Sequence, residues 1–367
     1  MELETIVDET FGSRYAPTTL KSQDTGVKHW IIFVNKVVFH DSVYLFTLQD
    51  LPPSNAKARE AEHRLLMFAA YLSKSYTPGT VGEYVSHVKA RHFFWLHFHD
   101  FAEYGVMFSR IKVFLRILRN RNPRQLRKKL PFTKPLLAKT WQAIRHDFVS
   151  LKFGAMVFWA VSTMAFQQLM RLNELVTMRV KTQANLYPIM IAHLTFFDRQ
   201  GMQIEFPASL SDAQSRLARL AYAVVLAPPS KADPTASNDP FYLPMSVGSA
   251  MSLAPCWVLW MFMAAYPVRP MARAATPLFR TAPQAYAGQV QEYGFDVAFK
   301  AACRAANIRY EGFGKHRYRV GGLNALQDAG CSVAQVMAAG HWKSDAWLVY
   351  SRRQRISLMH YSNMMLR

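Results

Sequence analysis

Residues 153–175 read FGAMVFWAVSTMAFQQLMRLNEL: eighteen uncharged residues from Phe153 to Met170, then Arg171 and, three residues on, Glu174. Eighteen residues of this character reach the length at which a helix can cross a bilayer. Ser162, Thr163, Gln167 and Gln168 within the run favour instead a helix buried in a protein core, and the cation that ends it would then face a cleft. A second uncharged run, Phe241 to Val268, is interrupted by Pro244, Pro255 and Pro267. Both read as core helices, the second beyond its first residues, and no membrane span is expected. Downstream, IAHLTFF (191–197), MQIEF (202–206), YAVVLA (222–227) and FYL (241–243) are short, β-branched and aromatic, and turn-rich segments separate them. They predict four short strands in a small antiparallel sheet. From about Met251 the pattern is helical again.

Upstream of Lys134 the pattern is helical almost throughout. KHWIIFVNKVVF (28–39) and EHRLLMFAAYLSKS (62–75) each carry a broad apolar face. In YTPGTVGEYVSHVKARHFFW (76–95), Pro78-Gly79 reads as a turn, Thr80 as an N-cap and Glu83 as its capping-box partner. Val81, Tyr84, Val85 and Val88 then follow at helical spacing. A last helix from about Met107 to Arg121 sets Phe108, Ile111, Phe114, Leu115 and Leu118 against Lys112, Arg116 and Arg119. Asn122-Pro123 and the segment PFTKP (131–135) break the pattern, with Thr133 as cap for the helix that follows. The expected fold is α+β and mostly helical. Residues 1–22 form a loosely ordered lead, 23–130 a helical domain, and 131–367 a domain of helices around the small sheet.

The chain has 367 residues, 44 Lys or Arg against 24 Asp or Glu, and a formal charge of +20. Its 51% hydrophobic content excludes a mainly disordered chain. The excess charge points to a polyanionic partner, nucleic acid ahead of an acidic membrane surface. From Arg110 to Arg145 there are twelve basic residues and no acid. Such a run repels itself unless an anion sits against it, so Lys112, Arg116, Arg119, Arg121, Arg124, Arg127, Lys128, Lys129 and Lys134 are candidate phosphate contacts. Glu2, Glu4, Asp8 and Glu9 occupy the place where a secretory signal would be basic and then apolar, so no export signal is expected. Cys256, Cys303 and Cys331 form neither a disulfide framework nor a metal motif. His92, His97, His99 and Asp100 lack the spacing of a zinc site, and no metal is expected.

Five clusters in the second domain hold residues suited to phosphoryl transfer. Arg171 and Glu174 stand three apart, so the carboxylate can orient the guanidinium. Lys231, in PPSKADP, is the only lysine between Lys181 and Lys300. In KHRYRVGG, His316 and Arg319 share a helical face, a proton-moving group beside a bidentate phosphate binder. Gly321 and Gly322 weaken that helix and are tolerable where a backbone must approach closely. His341 follows a glycine in AGHWKSDAW. Tyr350 lies nine residues further on, about 13 Å along a continuous helix, so a turn must intervene if both serve one site.

Arg, a turn Lys, His-x-x-Arg, Gly-His and then Tyr, in that order, resemble the tyrosine recombinase (phage integrase) family. The resemblance covers the second domain, and the helical first domain is similar to that family's core-binding domain, the two closing as a C-shaped clamp. HRYRVGGLNALQDAG (316–330) and GHWKSDAWLVYSR (340–352) look most like recombinases of DIRS-type and Crypton-type eukaryotic mobile elements. The resemblance implies a site-specific recombinase or integrase acting on double-stranded DNA, with four protomers holding two duplexes. Tyr350 would attack the scissile phosphate to give a 3′-phosphotyrosyl intermediate, Lys231 would protonate the leaving 5′-oxygen, and His316 would take up the tyrosine proton. Arg171 and Arg319 would clamp the phosphate, His341 would donate to it, and no cofactor, ATP or metal is implied. The location implied is the nucleus for a eukaryotic element, otherwise the cytoplasm or nucleoid. Tyr361 lacks the spacing from Gly-His. An inactive DNA-binding relative and a type IB topoisomerase are the alternatives from other functional classes.

Overall fold

The computed structural model describes residues 17–38, 43–95, 101–104, 106, 108–121, 129–177, 188–226, 240–246, 248–342, 344–349 and 351. It is mostly helical with one four-stranded antiparallel sheet, an α+β fold. Two compact units are present, Met1–Arg127 and Lys128–Arg367.

The first unit is built on α1 (Pro17–Phe33), α2 (Asn55–Ser73), α3 (Pro78–Trp95) and α4 (Ser109–Arg121). Its core joins Trp30 and Phe33 of α1 to Leu65, Phe68 and Leu72 of α2 and to Val81, Val85 and Val88 of α3, all buried. Helix α3 begins earlier than its sequence pattern predicts. Pro78 enters the first turn, where a missing N–H costs nothing, and Thr77 is the cap, its Oγ1 accepting from Thr80 N at 3.2 Å. Thr80 therefore lies inside the helix, and Glu83 pairs with His87 at 3.8 Å instead of closing a capping box.

Two polar groups inside this unit hold backbone. The buried Glu62 of α2 accepts from Arg110 N at 2.5 Å and Ile111 N at 3.2 Å, so a carboxylate caps the first turn of α4. His92, fully buried in α3, donates from Nδ1 to Val88 O at 2.8 Å and accepts Leu45 N–H at Nε2 at 2.6 Å. A second proton would face that N–H inside the core, and burial pushes the His92 pKa down to about 4. His97, His99 and Asp100 lie outside the described residues. Because the unfolded chain then binds the proton more readily, stability holds above pH ~6.5 and is lost as pH falls toward 4, by about 3 kcal/mol in the limit. Urea unfolding of His92→Gln, which can make both hydrogen bonds without titrating, should lack this part of the acid loss. Parallel pH profiles for the two proteins would refute it.

In the second unit α5 (Lys134–Val149) precedes α6 (Phe153–Gln167), the helix of the opening stretch. Every residue of α6 from Met156 to Phe166 is buried, because α5, α9 (Pro255–Ala265), α10 (Glu292–Ala305) and α11 (Arg317–Asp328) pack around it. Its polar residues are paired internally: Thr163 Oγ1 donates to Trp159 O, and Ser162 meets Tyr318 Oη at 3.0 Å. No helix among the described residues is long and apolar enough to cross a membrane. Thr133 is the N-cap residue of α5, but its side chain makes no capping hydrogen bond, and Pro135 in the first turn stands beside it.

The sheet runs in the order β2 (Gln203–Ile204), β1 (Leu194–Phe197), β3 (Tyr222–Val225), β4 (Phe241–Pro244), all neighbours antiparallel, with the short helix α8 (Leu210–Arg216) between β2 and β3 in the chain. Phe196, Ala223, Val225 and Leu243 point to the core, and Phe196 meets Trp260 of α9 edge to face. Val225 pairs with Phe241, so the segment that carries Lys231 joins two hydrogen-bonded strands; residues 227–239 lie outside the described residues.

Gly321 and Gly322 sit in the first half of α11, where it crosses backbone. A β-carbon at Gly321 would lie 2.0 Å from Phe132 O, and one at Gly322 would lie 2.0 Å from Phe166 O at the end of α6. In an isolated helix Gly→Ala gains about 1 kcal/mol. Here the sign reverses: Gly322→Ala should destabilise by about 3 kcal/mol or more, because a carbonyl cannot rotate aside as a side chain can. Equilibrium urea unfolding measures it, and a stabilised variant would sink the close-packing account.

Candidate functional site

The site is assembled where α6 ends. Gln167 closes the helix, and Leu169 takes a left-handed conformation (φ 50°) with its side chain fully buried. That turn brings Arg171 to the N-cap of a short helix, α7 (Leu172–Leu175), so Arg171 and Glu174 keep their spacing although the arginine precedes the helix. Glu174 grips Arg171 twice, accepting from its backbone N at 2.8 Å and from Nη1 at 2.9 Å. The Arg171 side chain is 33% exposed, so it can meet a ligand from solvent.

His316 is the N-cap residue of α11, and Arg319 lies in the first turn of that helix. Arg319 is buried. Its Nη1 donates to Leu169 O at 2.5 Å, its Nη2 donates to Gly340 O at 3.2 Å, and its guanidinium carbon is 4.3 Å from the centre of the Trp342 ring. The residue thus ties the chain just before Arg171 to the chain just before His341. The His316 pKa is lowered first by loss of hydration to the surrounding protein, and then by the positive charges of Arg171, Arg319 and Lys315, with Glu174 opposing. The imidazole is therefore held in its neutral, proton-accepting form near pH 7.

His341 also has a left-handed backbone (φ 51°), just beyond α12 (Val333–Ala339). Its ring meets Phe241, the first residue of β4, edge to face at 4.7 Å. Gln168 reaches the same strand, donating to Tyr242 O at 3.2 Å. The Phe241 end of β4 thereby stands beside His341 and the approach to Arg171. Beyond His341 the described residues form a 3-10 turn, Asp345–Val349, and Trp347 packs with Leu169, Leu323, Val336 and Trp342. Ser351 exchanges hydrogen bonds with Gln327 of α11 at 3.0 and 3.1 Å. Lys231, Tyr350 and Tyr361 lie outside the described residues.

Arg171, Glu174 and Arg319 are therefore near His316 although up to 148 residues apart, and the bond from Arg319 to Gly340 O ties the chain just before His341 to Arg319. Tyr318, inside the same motif, is buried and bonded to Ser162, and burial raises its pKa to about 12. Arg317 faces away from the site, bonded to Asp296 at 2.8 Å and stacked on Phe299. Trp342 was not singled out by the motif spacing; a large aromatic directly after Gly-His was its only trace in the sequence.

In the first unit Lys112, Arg116, Arg119 and Arg121 are exposed on α4, while Ile111 is buried beneath them. In the second, Lys129 and Lys134 are exposed. Arg124, Arg127 and Lys128 lie outside the described residues. Among the described residues no group of three or more His, Cys, Asp or Glu is placed to hold a metal ion. Cys256 and Cys303 are buried, with thiol pKa values raised by burial to about 12 and about 11.

No protein-family model matches the chain, and no curated protein matches it.

Proposed function

We propose that the protein is a DNA strand-exchange enzyme of the tyrosine recombinase kind. One observation carries this reading: among the described residues two arginines and a neutral histidine converge with a single carboxylate, leaving an excess of positive charge where a solvent-reachable guanidinium is already oriented. Such a site suits a phosphodiester, whose transition state gathers negative charge on its non-bridging oxygens.

In the forward step the Tyr350 oxygen forms a bond to phosphorus as the bond from phosphorus to the 5′-oxygen breaks. The phenolic proton passes to His316, and Lys231 supplies the proton that leaves with the 5′-hydroxyl. Arg171, held by Glu174, balances charge on the phosphate. Arg319 adds its charge from beneath, while its N–H groups fix the Leu169 and Gly340 carbonyls. The reverse attack by a 5′-hydroxyl regenerates tyrosine and reseals the strand. The exposed cations of α4 fit phosphate contacts that set register without reading bases. The reading further entails double-stranded DNA as partner, four protomers on two sites, and residence with DNA in the nucleus or nucleoid.

The test is covalent trapping on nicked suicide substrates drawn from DNA flanking the gene, with EDTA present. A protein–DNA adduct resistant to denaturant is expected. Absence of an adduct on DNA that the protein demonstrably binds would overturn the reading.

A further inference from the structure

We infer that Trp342 is a positioning residue for Arg319, and that Gly340 is glycine to let it be one. This rests on the reading of the site just given. Trp342 is 8% exposed, with its ring against the Arg319 guanidinium at 4.3 Å. The ring also lies on the backbone of Gly340, where a β-carbon would stand 2.0 Å from Cζ3 and 2.1 Å from Cε3. The Gly340 carbonyl in turn accepts from Arg319 Nη2. Guanidinium, carbonyl and ring therefore form a closed set, and each fixes the other two.

The two carbonyls alone leave Arg319 free to tilt about the line joining its hydrogen bonds. A flat aromatic surface removes that tilt and keeps water from the guanidinium face, and a desolvated cation–π contact is among the stronger ones. Because Nη1 holds Leu169 O, two residues before Arg171, a tilted Arg319 would shift the arginine that faces solvent as well as its own charge. Side chains that fill the volume without a π face should pack but not orient.

Trp342→Phe and Trp342→Leu separate these roles, read in two ways. The first needs no catalysis: the proton resonance of the Arg319 Nε–H should carry a ring-current displacement in wild type and Trp342→Phe, and lose it in Trp342→Leu. The second is single-turnover adduct formation at saturating DNA. Trp342→Leu is expected to slow it about tenfold or more, as loss of a buried cation–π contact implies, and Trp342→Phe to restore most of the rate. DNA affinity and melting temperature should be alike in the two variants. Equal rates for Phe and Leu, or an Arg319 resonance insensitive to Trp342, would overturn the inference. Should the leucine variant fail to fold, Gly340→Ala, which keeps the ring but drives it off its seat, should reproduce the slow rate and the lost displacement. If wild type forms no adduct at all, the reading of the site fails, and the Arg319 resonance alone decides whether Trp342 positions it.

Discussion

Tyr350→Phe should abolish the covalent adduct completely while leaving DNA affinity within about threefold of wild type, since one hydroxyl is lost among many phosphate contacts. No other group in the proposed step can form the bond to phosphorus, so the effect on attachment is all or none. The measurement is the same EDTA-resistant trapping assay, with binding followed by electrophoretic mobility. A Tyr350→Phe protein that still traps DNA would move the nucleophile elsewhere, with Tyr361 first to be examined. A protein that loses binding together with attachment would mean that Tyr350 supports the fold and does not do chemistry.

The second large effect separates the two arginines. Arg171→Ala should slow adduct formation on the order of 10²-fold or more, as loss of one donor to a developing oxyanion does, with little change in stability because the side chain is a third exposed. Arg319→Ala should slow it at least as much and also cost several kcal/mol of stability, since two buried carbonyls lose charge-assisted partners and Trp342 loses the group it stacks on. Arg319→Lys should rescue neither, because an ammonium cannot hold both carbonyls in one plane beneath a ring. Urea unfolding and single-turnover trapping on the same preparations measure both quantities. An Arg319→Ala protein as stable as Arg171→Ala would refute the tying role. A stable Arg319→Ala with wild-type rate would remove Arg319 from the site.

Local features of the fold were legible because they rest on short-range physics. The four strands stand where alternating β-branched and aromatic residues predict them, and the uncharged run forms a core helix because its hydroxyls find partners within the fold. The start of α3 lies one turn before the one its capping-box pattern predicts: Thr80 with Glu83 and Thr77 with Pro78 are both acceptable helix starts, and the proline pre-organises the earlier one. The glycine pair of α11 signalled a close approach, but not which carbonyls come near.

The sequence by itself determined the fold class, the buried character of α6 and the basic face of α4, and it offered the residues proposed for phosphoryl transfer. Periodicity, charge and side-chain chemistry are properties of a segment and its near neighbours. Only the tertiary structure decided that Arg171 precedes its helix, that Glu174 holds it at two points, that Arg319 turns inward to join two distant carbonyls, and that Trp342 covers it. The inward turn of Arg319 and its cover by Trp342 depend on left-handed turns at Leu169 and His341 and on α11 crossing the end of α6 at van der Waals distance from its backbone. Such contacts follow from how separate elements fill a common volume, which no single segment encodes.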